Sequence, residues 1–209
     1  MDPTINLNLW LAFVAASALL AIIPGPIVTL VVANSLNQGA RAGAANVLGT
    51  LCGNVVLFAI GGFGMAWVLS ALAQWFDILR WAGAAYLVYL GLKQWFAKAQ
   101  GLEDQQATRP GHSLFWQGAV VALTNPKTII FYAAFLPQFM DPALPASGQL
   151  FVLSATFLIV AGSLDMTYAI LAGRLRPWLT GERRGRIRNK LTGALLMGTG
   201  VALALTRRS

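Results

Sequence analysis

Ile23-Pro24-Gly25-Pro26 interrupts an otherwise uncharged run from Leu9 to Ala33, and the reading of that interruption decides the fold. A run of about 20 largely apolar residues crosses a bilayer as a helix. Two prolines and a glycine in four residues cannot continue one, because proline lacks a backbone donor and glycine lacks conformational preference. In hydrocarbon each freed backbone group costs on the order of several kcal/mol unless protein or trapped water satisfies it. A break at this depth therefore predicts an interior cavity. Pro26 reads as the first residue of a new half-helix that runs to about Leu36.

A counterpart lies in the second half of the chain. Thr124-Asn125-Pro126-Lys127 sits inside the apolar run Leu114 to Phe139, and Asn followed by Pro is the grammar of a helix start. Helix starts carry roughly +0.5 charge and unpaired N–H groups. Two such starts facing one another near mid-membrane form a site for an anion, with a carboxylate as the natural guest. Two interrupted spans in corresponding places point to a transporter's binding site. A ligand-free packing kink is the competing reading.

Outward from these breaks, composition agrees. The 209 residues are 57% hydrophobic and 11% charged, whereas soluble domains carry roughly 25% charged residues. The mean hydropathy is +0.64. The net charge of +8 falls between apolar runs, which suits orientation against anionic lipid. Nucleic-acid binding is disfavoured because no soluble module remains to carry it. The N-terminus, with Asp2 and no Lys or Arg before Leu9, lacks the basic region of a signal peptide and is read as a mature span.

The fold expected is all-α and polytopic: six transmembrane helices arranged as two inverted three-helix repeats with broken first and fourth helices. The spans are about 9–34, 42–73, 79–96, 114–140, 149–173 and 191–206. A single transporter domain fills residues 1–209, with repeat one at about 1–97, a polar loop at about 98–112 and repeat two at about 113–209. Gly43, Gly49, Gly53, Gly61, Gly62 and Gly64 on the second span predict close helix packing. Arg80 and Lys93 flank the third, with Trp81, Tyr86, Tyr89 and Trp95 expected near the interfaces. The loops after spans one, three and five hold Arg41, then Lys93, Lys98 and Arg109, then Arg174, Arg176, Arg183, Arg184, Arg186, Arg188 and Lys190. Eleven basic residues on that side face three on the other, Arg80, Arg207 and Arg208. The excess places those loops in the cytoplasm and both termini outside.

Lys127 and Asp165 are the two ionisable groups read as deep in spans, and such groups default to function. Asp165 is expected to hold a substrate ammonium or a coupling proton, and Lys127 to add to the carboxylate site. A static Lys–Asp pair is the plain alternative. Asn34, Asn46, Asn54, Gln117 and Thr124 are candidates to line the path, with interhelical hydrogen bonding the commoner use of such residues. Tyr168, near Asp165, is a further candidate contact. Cys52 is the one cysteine; it excludes an internal disulfide or paired-thiol relay and reads as a small residue in a packed helix. His112 falls in the polar loop. No metal-ligand spacing, phosphate-cradling loop or nucleophile triad is present in the sequence.

The residues also resemble a family. Ile23-Pro24-Gly25-Pro26 with Asn34-Ser35-Leu36-Asn37-Gln38-Gly39-Ala40-Arg41-Ala42-Gly43 is similar to the first-span signature of the LysE/RhtB amino-acid exporters. Leu123-Thr124-Asn125-Pro126-Lys127 with Phe135-Leu136-Pro137-Gln138-Phe139 is similar to their fourth. Arg80-Trp81-Ala82-Gly83-Ala84-Ala85-Tyr86-Leu87 with Leu90-Gly91, and Gly193-Ala194-Leu195-Leu196 with Gly198, resemble the third and last. The resemblance implies a bacterial inner-membrane exporter of amino acids or close derivatives, driven by the proton gradient through alternating access. It implies no cofactor and leaves room for a homodimer. The residues read above as the substrate site are Pro24, Gly25, Pro26, Asn34, Asn125, Pro126, Lys127, Asp165 and Tyr168, with Asp165 and Lys127 as the coupling pair. Family members often carry the fifth-span acid a turn earlier, where this chain has Ala161 and Gly162. A thiol-relay enzyme, a metal-cation exporter and an assembly factor are the alternatives, and one cysteine and one deep acid speak against the first two.

Overall fold

The computed structural model describes residues 5–62, 65–97, 110–179 and 182–205. Among these residues every regular element is helical. The first half is α1 (Leu7–Ile22), α2 (Pro26–Gln38), α3 (Ala40–Gly62) and α4 (Met65–Trp95). The second is α5 (Gly111–Leu123), α6 (Pro126–Ile130), a π turn (Phe131–Phe135), a 3-10 turn (Leu136–Phe139), α7 (Ala146–Leu175), a 3-10 turn (Arg176–Leu179) and α8 (Glu182–Leu205). Both expected interruptions are present. α1 and α2 meet at a bend of 53°, and α5 stops at Leu123 before α6 restarts at Pro126.

Two boundaries depart from the sequence reading. The expected gap between residues 73 and 79 does not exist, because α4 runs unbroken from Met65 to Trp95 and takes in Asp77. α3 ends at Gly62 and α4 begins at Met65, residues 63 and 64 lie outside the described residues, and Gln74 and Asp77 weaken a helix too little to end it. Nor does Pro126 open a regular half-helix. α6 is five residues long before its pitch changes. Pro137 has no N–H for the Ala133 carbonyl four residues back, and the widened and then tightened turns accommodate that loss. Lys98, Arg109 and the acids of the polar loop, with Arg207 and Arg208, lie outside the described residues, as do the side chains of Arg80, Arg183, Arg184 and Arg188.

The distribution of side chains is inside-out for a soluble protein. Leu11, Leu19, Leu48, Val55, Phe151, Ile159 and Leu195 are exposed, while Ser17, Asn46, Thr50, Asn54, Gln149 and Thr192 are almost wholly buried. α3 and α7, together with the bent pair α1–α2, are long and apolar enough to cross a membrane. An apolar exterior over a polar interior suits lipid as solvent. Cys52 is exposed, a correction to its expected packed position. Gly49 and Gly53 of the same helix are the positions that meet α5.

Small residues set the helix contacts. A Cβ at Gly118 of α5 would overlap the Asn46 carbonyl of α3, and one at Gly193 of α8 would lie 2.8 Å from the Gly91 carbonyl of α4. Backbones this close replace the hydrophobic drive that lipid removes. α3 packs on α5 and α7, α4 packs on α8, and α2 lies against α3, α7 and α8.

Hydrogen bonds between element ends sort them into two groups. Arg176 Nε donates to the Asn37 carbonyl at 3.2 Å, and Gln94 Nε2 to Asn189 Oδ1 at 3.0 Å. The ends of α2, α4 and α7 therefore share one face with the start of α8. Asn6 Nδ2 donates to Asp141 Oδ2 at 3.0 Å, tying the start of α1 to the turn before α7 on the opposite face.

Candidate functional site

The break after α1 strands its last carbonyls. Pro26 has no N–H for the Ile22 carbonyl, and the bend carries Ile27 away from the Ile23 carbonyl. Side chains replace both donors. Tyr168 of α7 donates its hydroxyl to Ile22 at 3.0 Å, and Lys127 of α6 donates its ammonium to Ile23 at 2.5 Å. A lysine at the C-terminal end of a helix is also favoured by its partial negative charge. Gly25 takes an extended conformation as N-cap of α2. A Cβ there would be 3.6 Å from Lys127 Cδ, so the lysine stem lies along the break.

The second break is held by Asn125. Its Oδ1 accepts from the Lys127 N–H at 3.2 Å, and its Nδ2 donates to Thr128 Oγ1 at 2.9 Å. These bonds cap a start that Pro126 already favours. The starts of α2 and α6 do come together, since Gly25, Ile27, Asn125, Lys127 and Thr128 line one cleft of about 40 Å³. Asp165 lines it too, one turn beyond Ala161 and two beyond Phe157 on the same face of α7. A larger groove of about 630 Å³ opens on the far side of Gly25, Asn125 and Lys127, bounded by Pro24, Pro26 and the α8 face of Leu195, Gly198 and Thr199. Lys127 stands between the two spaces.

Lys127 and Asp165 face the same cleft, yet the ammonium is bonded to a carbonyl and not to the carboxylate. Asp165 is 6% exposed. A carboxylate this deep is costly unless a proton or cation offsets its charge.

Several expected path residues lie elsewhere. Asn34 Nδ2 donates to Asn46 Oδ1 at 2.7 Å and Gln117 Oε1 at 3.2 Å, and Asn46 Nδ2 donates to the Leu114 carbonyl at 2.6 Å. That buried network clamps α2, α3 and α5 away from the cleft. Thr124 Oγ1 returns to the Val120 carbonyl at 2.8 Å, and His112 is exposed in the first turn of α5. Of the path candidates, Asn54 alone lines the cleft. Sequence reasoning missed Thr128 and the carbonyls of Ile22 and Ile23. The signal for the carbonyls was Pro26 itself, whose missing donor requires a substitute. Among the described residues, no group of His, Cys, Asp and Glu is placed to hold a metal ion.

Broken helices around an acid and a base that face one cleft, inside a polar interior with an apolar exterior, are the features of a membrane translocator. The LysE type translocator family model matches residues 18–207, and the chain belongs to that family. It is 36% identical over 201 residues to a homoserine/homoserine lactone efflux protein of Salmonella typhi, covering 96% of this chain and 98% of that one. It is 31% identical over 202 residues to a leucine efflux protein of Salmonella choleraesuis, covering 95% of each. An uncharacterised membrane protein of Bacillus subtilis is 32% identical over 208 residues, 94% of this chain and 98% of its own. No solved structure matches the chain. The protein is an amino-acid exporter of the membrane, and the family's members are transporters, not enzymes.

Proposed function

We propose that the protein exports amino acids or close derivatives across the bacterial inner membrane in exchange for protons, by alternating access about the cleft at Gly25, Asn125, Lys127 and Asp165. The observation that carries this reading is the meeting of both helix breaks at one acid and one base. The substrate carboxylate takes the starts of α2 and α6 and draws Lys127 off the Ile23 carbonyl. Asp165 binds a substrate ammonium or a proton, one at a time, and that exclusion is the coupling. Pro24, Pro26 and Pro126 keep the breaks open, Tyr168 holds the end of α1, and Asn34 braces α2 from outside the cleft.

The topology that fits is six crossings in two inverted halves, residues 1–97 and 113–209. The order broken helix, long helix, long helix recurs, and the packing of α1 on α7 mirrors that of α5 on α3. The ends of α2, α4 and α7 sit together, with Lys93 in the last turn of α4 and Arg174 in that of α7, which supports placing them in the cytoplasm and both termini outside. The outward face of α3 offers a surface on which a homodimer can form.

The test is transport by purified protein in liposomes loaded with labelled leucine or homoserine. Release should accelerate when the outside is made acidic, so that protons enter as the substrate leaves. Release at the rate of protein-free liposomes removes the exporter role, and release indifferent to the gradient removes proton exchange.

A further inference from the structure

Asn46, Thr50 and Asn54 lie one turn apart on one buried face of α3. The first is fully engaged in the Asn34–Gln117 network. Asn54 is not. It is 2% exposed, its oxygen is buried without a partner, and it lines the cleft that also holds Asp165. A buried amide oxygen left without a donor is costly and rare, and in native proteins it calls for a ligand or a role.

The rest of the cleft is already committed. Asn125 uses its oxygen on the Lys127 N–H and its amide nitrogen on Thr128, and Lys127 is bonded to Ile23. What remains are the Asp165 oxygens and the Asn54 amide, which lines the same cleft and whose oxygen has no donor. Two acceptors without donors, in a low-dielectric corner, match a cation that carries several N–H groups. The space also limits its size. A water-sized group needs roughly 10–15 Å³ by the same measure, so about 40 Å³ has room for a primary ammonium, whose three N–H groups and charge suit both acceptors, whereas an acylated nitrogen is neutral and keeps a single N–H.

Resting on the exporter reading, we propose that Asn54 and Asp165 together form the ammonium subsite, so that the protein carries only substrates with a free primary amino group, amino acids and their lactones alike, and rejects N-acyl derivatives. Asn54 supplies the second acceptor, which a proton on Asp165 does not use. The amine therefore gains an advantage over the proton that the acid alone would not give.

The experiment uses full-length protein in liposomes and compares labelled leucine with labelled N-acetylleucine. Wild type should move leucine and leave N-acetylleucine at the background rate. Asn54→Leu should raise the leucine KM about tenfold to a hundredfold, the range for a lost bond to a charged group, with maximal rate changed little. Asn54→Thr, which keeps an acceptor, should fall between. Transport of N-acetylleucine with the same KM as leucine overturns the proposal without any variant. An unchanged leucine KM in Asn54→Leu overturns it as well, while wild type inert toward both leucine and homoserine sinks the exporter reading beneath it.

Discussion

The double neutralisation of Lys127 and Asp165 separates a working site from a pair that only satisfies itself. Lys127→Met keeps the stem that lies along Gly25 and removes the ammonium bonded to Ile23 at 2.5 Å. A hydrogen bond to a charged group contributes about 1.5–3 kcal/mol, and each 1.4 kcal/mol is about tenfold in affinity. Loss of the ammonium from a bound carboxylate should therefore raise the substrate KM roughly 10- to 150-fold. Asp165→Asn should weaken binding by a comparable factor through the other end of the substrate. Because the ammonium is bonded to a carbonyl rather than to Asp165, the two charges are expected to hold opposite ends of a zwitterion. The double variant should then be worse than either single one, with the two losses combining. If the residues were a buried pair, removing one would leave an unpaired charge costing about 3–5 kcal/mol, and removing both would relieve it. The assay is leucine or homoserine transport in liposomes, with each variant's insertion checked by its elution as a single species in detergent. Recovery of the double variant to within a few-fold of wild type would refute the reasoning.

Close packing gives a second prediction. Gly118→Ala should destabilise the protein by about 1–3 kcal/mol through overpacking against the α3 backbone. Gly198→Ala, with nothing within 4 Å of the added carbon, should stay within about 0.5 kcal/mol; unfolding followed by tryptophan fluorescence distinguishes them, and equal shifts would contradict the packing. A third concerns pH. Asp141, outside the spans, is held below the ordinary carboxylate range first by the Asn6 hydrogen bond and then by the Ala143 N–H. A lowered folded pKa means its stabilisation is present above the unfolded value and fades as pH falls through the folded one. Thermal stability should accordingly drop below about pH 4, and Asp141→Asn should flatten that drop; an identical acid profile in the variant would remove the latch. A fourth tests sidedness. In a Cys52→Ser background, Trp178→Cys should react with an impermeant maleimide only from the cytoplasmic side and Ala143→Cys only from outside; the exchanged pattern would reverse the orientation, and labelling of both from one side would show that α7 does not cross.

The breaks were legible because proline writes backbone chemistry directly into the sequence. Pro24, Gly25, Pro26 and Pro126 marked the two breaks, and Asn125 as a cap followed from its position before Pro126. The partners of the breaks were not legible. Tyr168 lies 146 residues from Ile22 and Lys127 lies 104 from Ile23, and nothing local in the sequence encodes such pairings. The same blindness scattered the amides. Asn34, Asn46, Gln117 and Asn54 look alike in a hydropathy trace, yet three brace helices and one enters the cleft. Which does which depends on the rotation of α3 about its axis, set by Gly49 and Gly53 packing on α5. The misplaced gap at residues 73 to 79 has a simpler cause. Polar residues suggested a loop there, but Gln74 and Asp77 are tolerated inside a helix, and α4 runs through them.

The chemistry of the breaks bears on how such a site can move. A stranded carbonyl ordinarily pins a helix end, since leaving it unbonded in a dry interior costs about 1–3 kcal/mol. Here the donors for Ile22 and Ile23 come from α7 and α6, outside the bent helix itself. α1 is thus tied to the second half of the chain by two side chains, one of which faces the cleft. A carboxylate that draws Lys127 away repays the lysine but frees the Ile23 carbonyl, and the end of α1 must then shift to find another donor. Substrate binding and displacement of α1 are coupled through a single ammonium, so Lys127→Met should loosen α1 even in the absence of substrate. Hydrogen exchange at the last turn of α1 would register that loosening, and protection equal to wild type would show that Lys127 does not hold it.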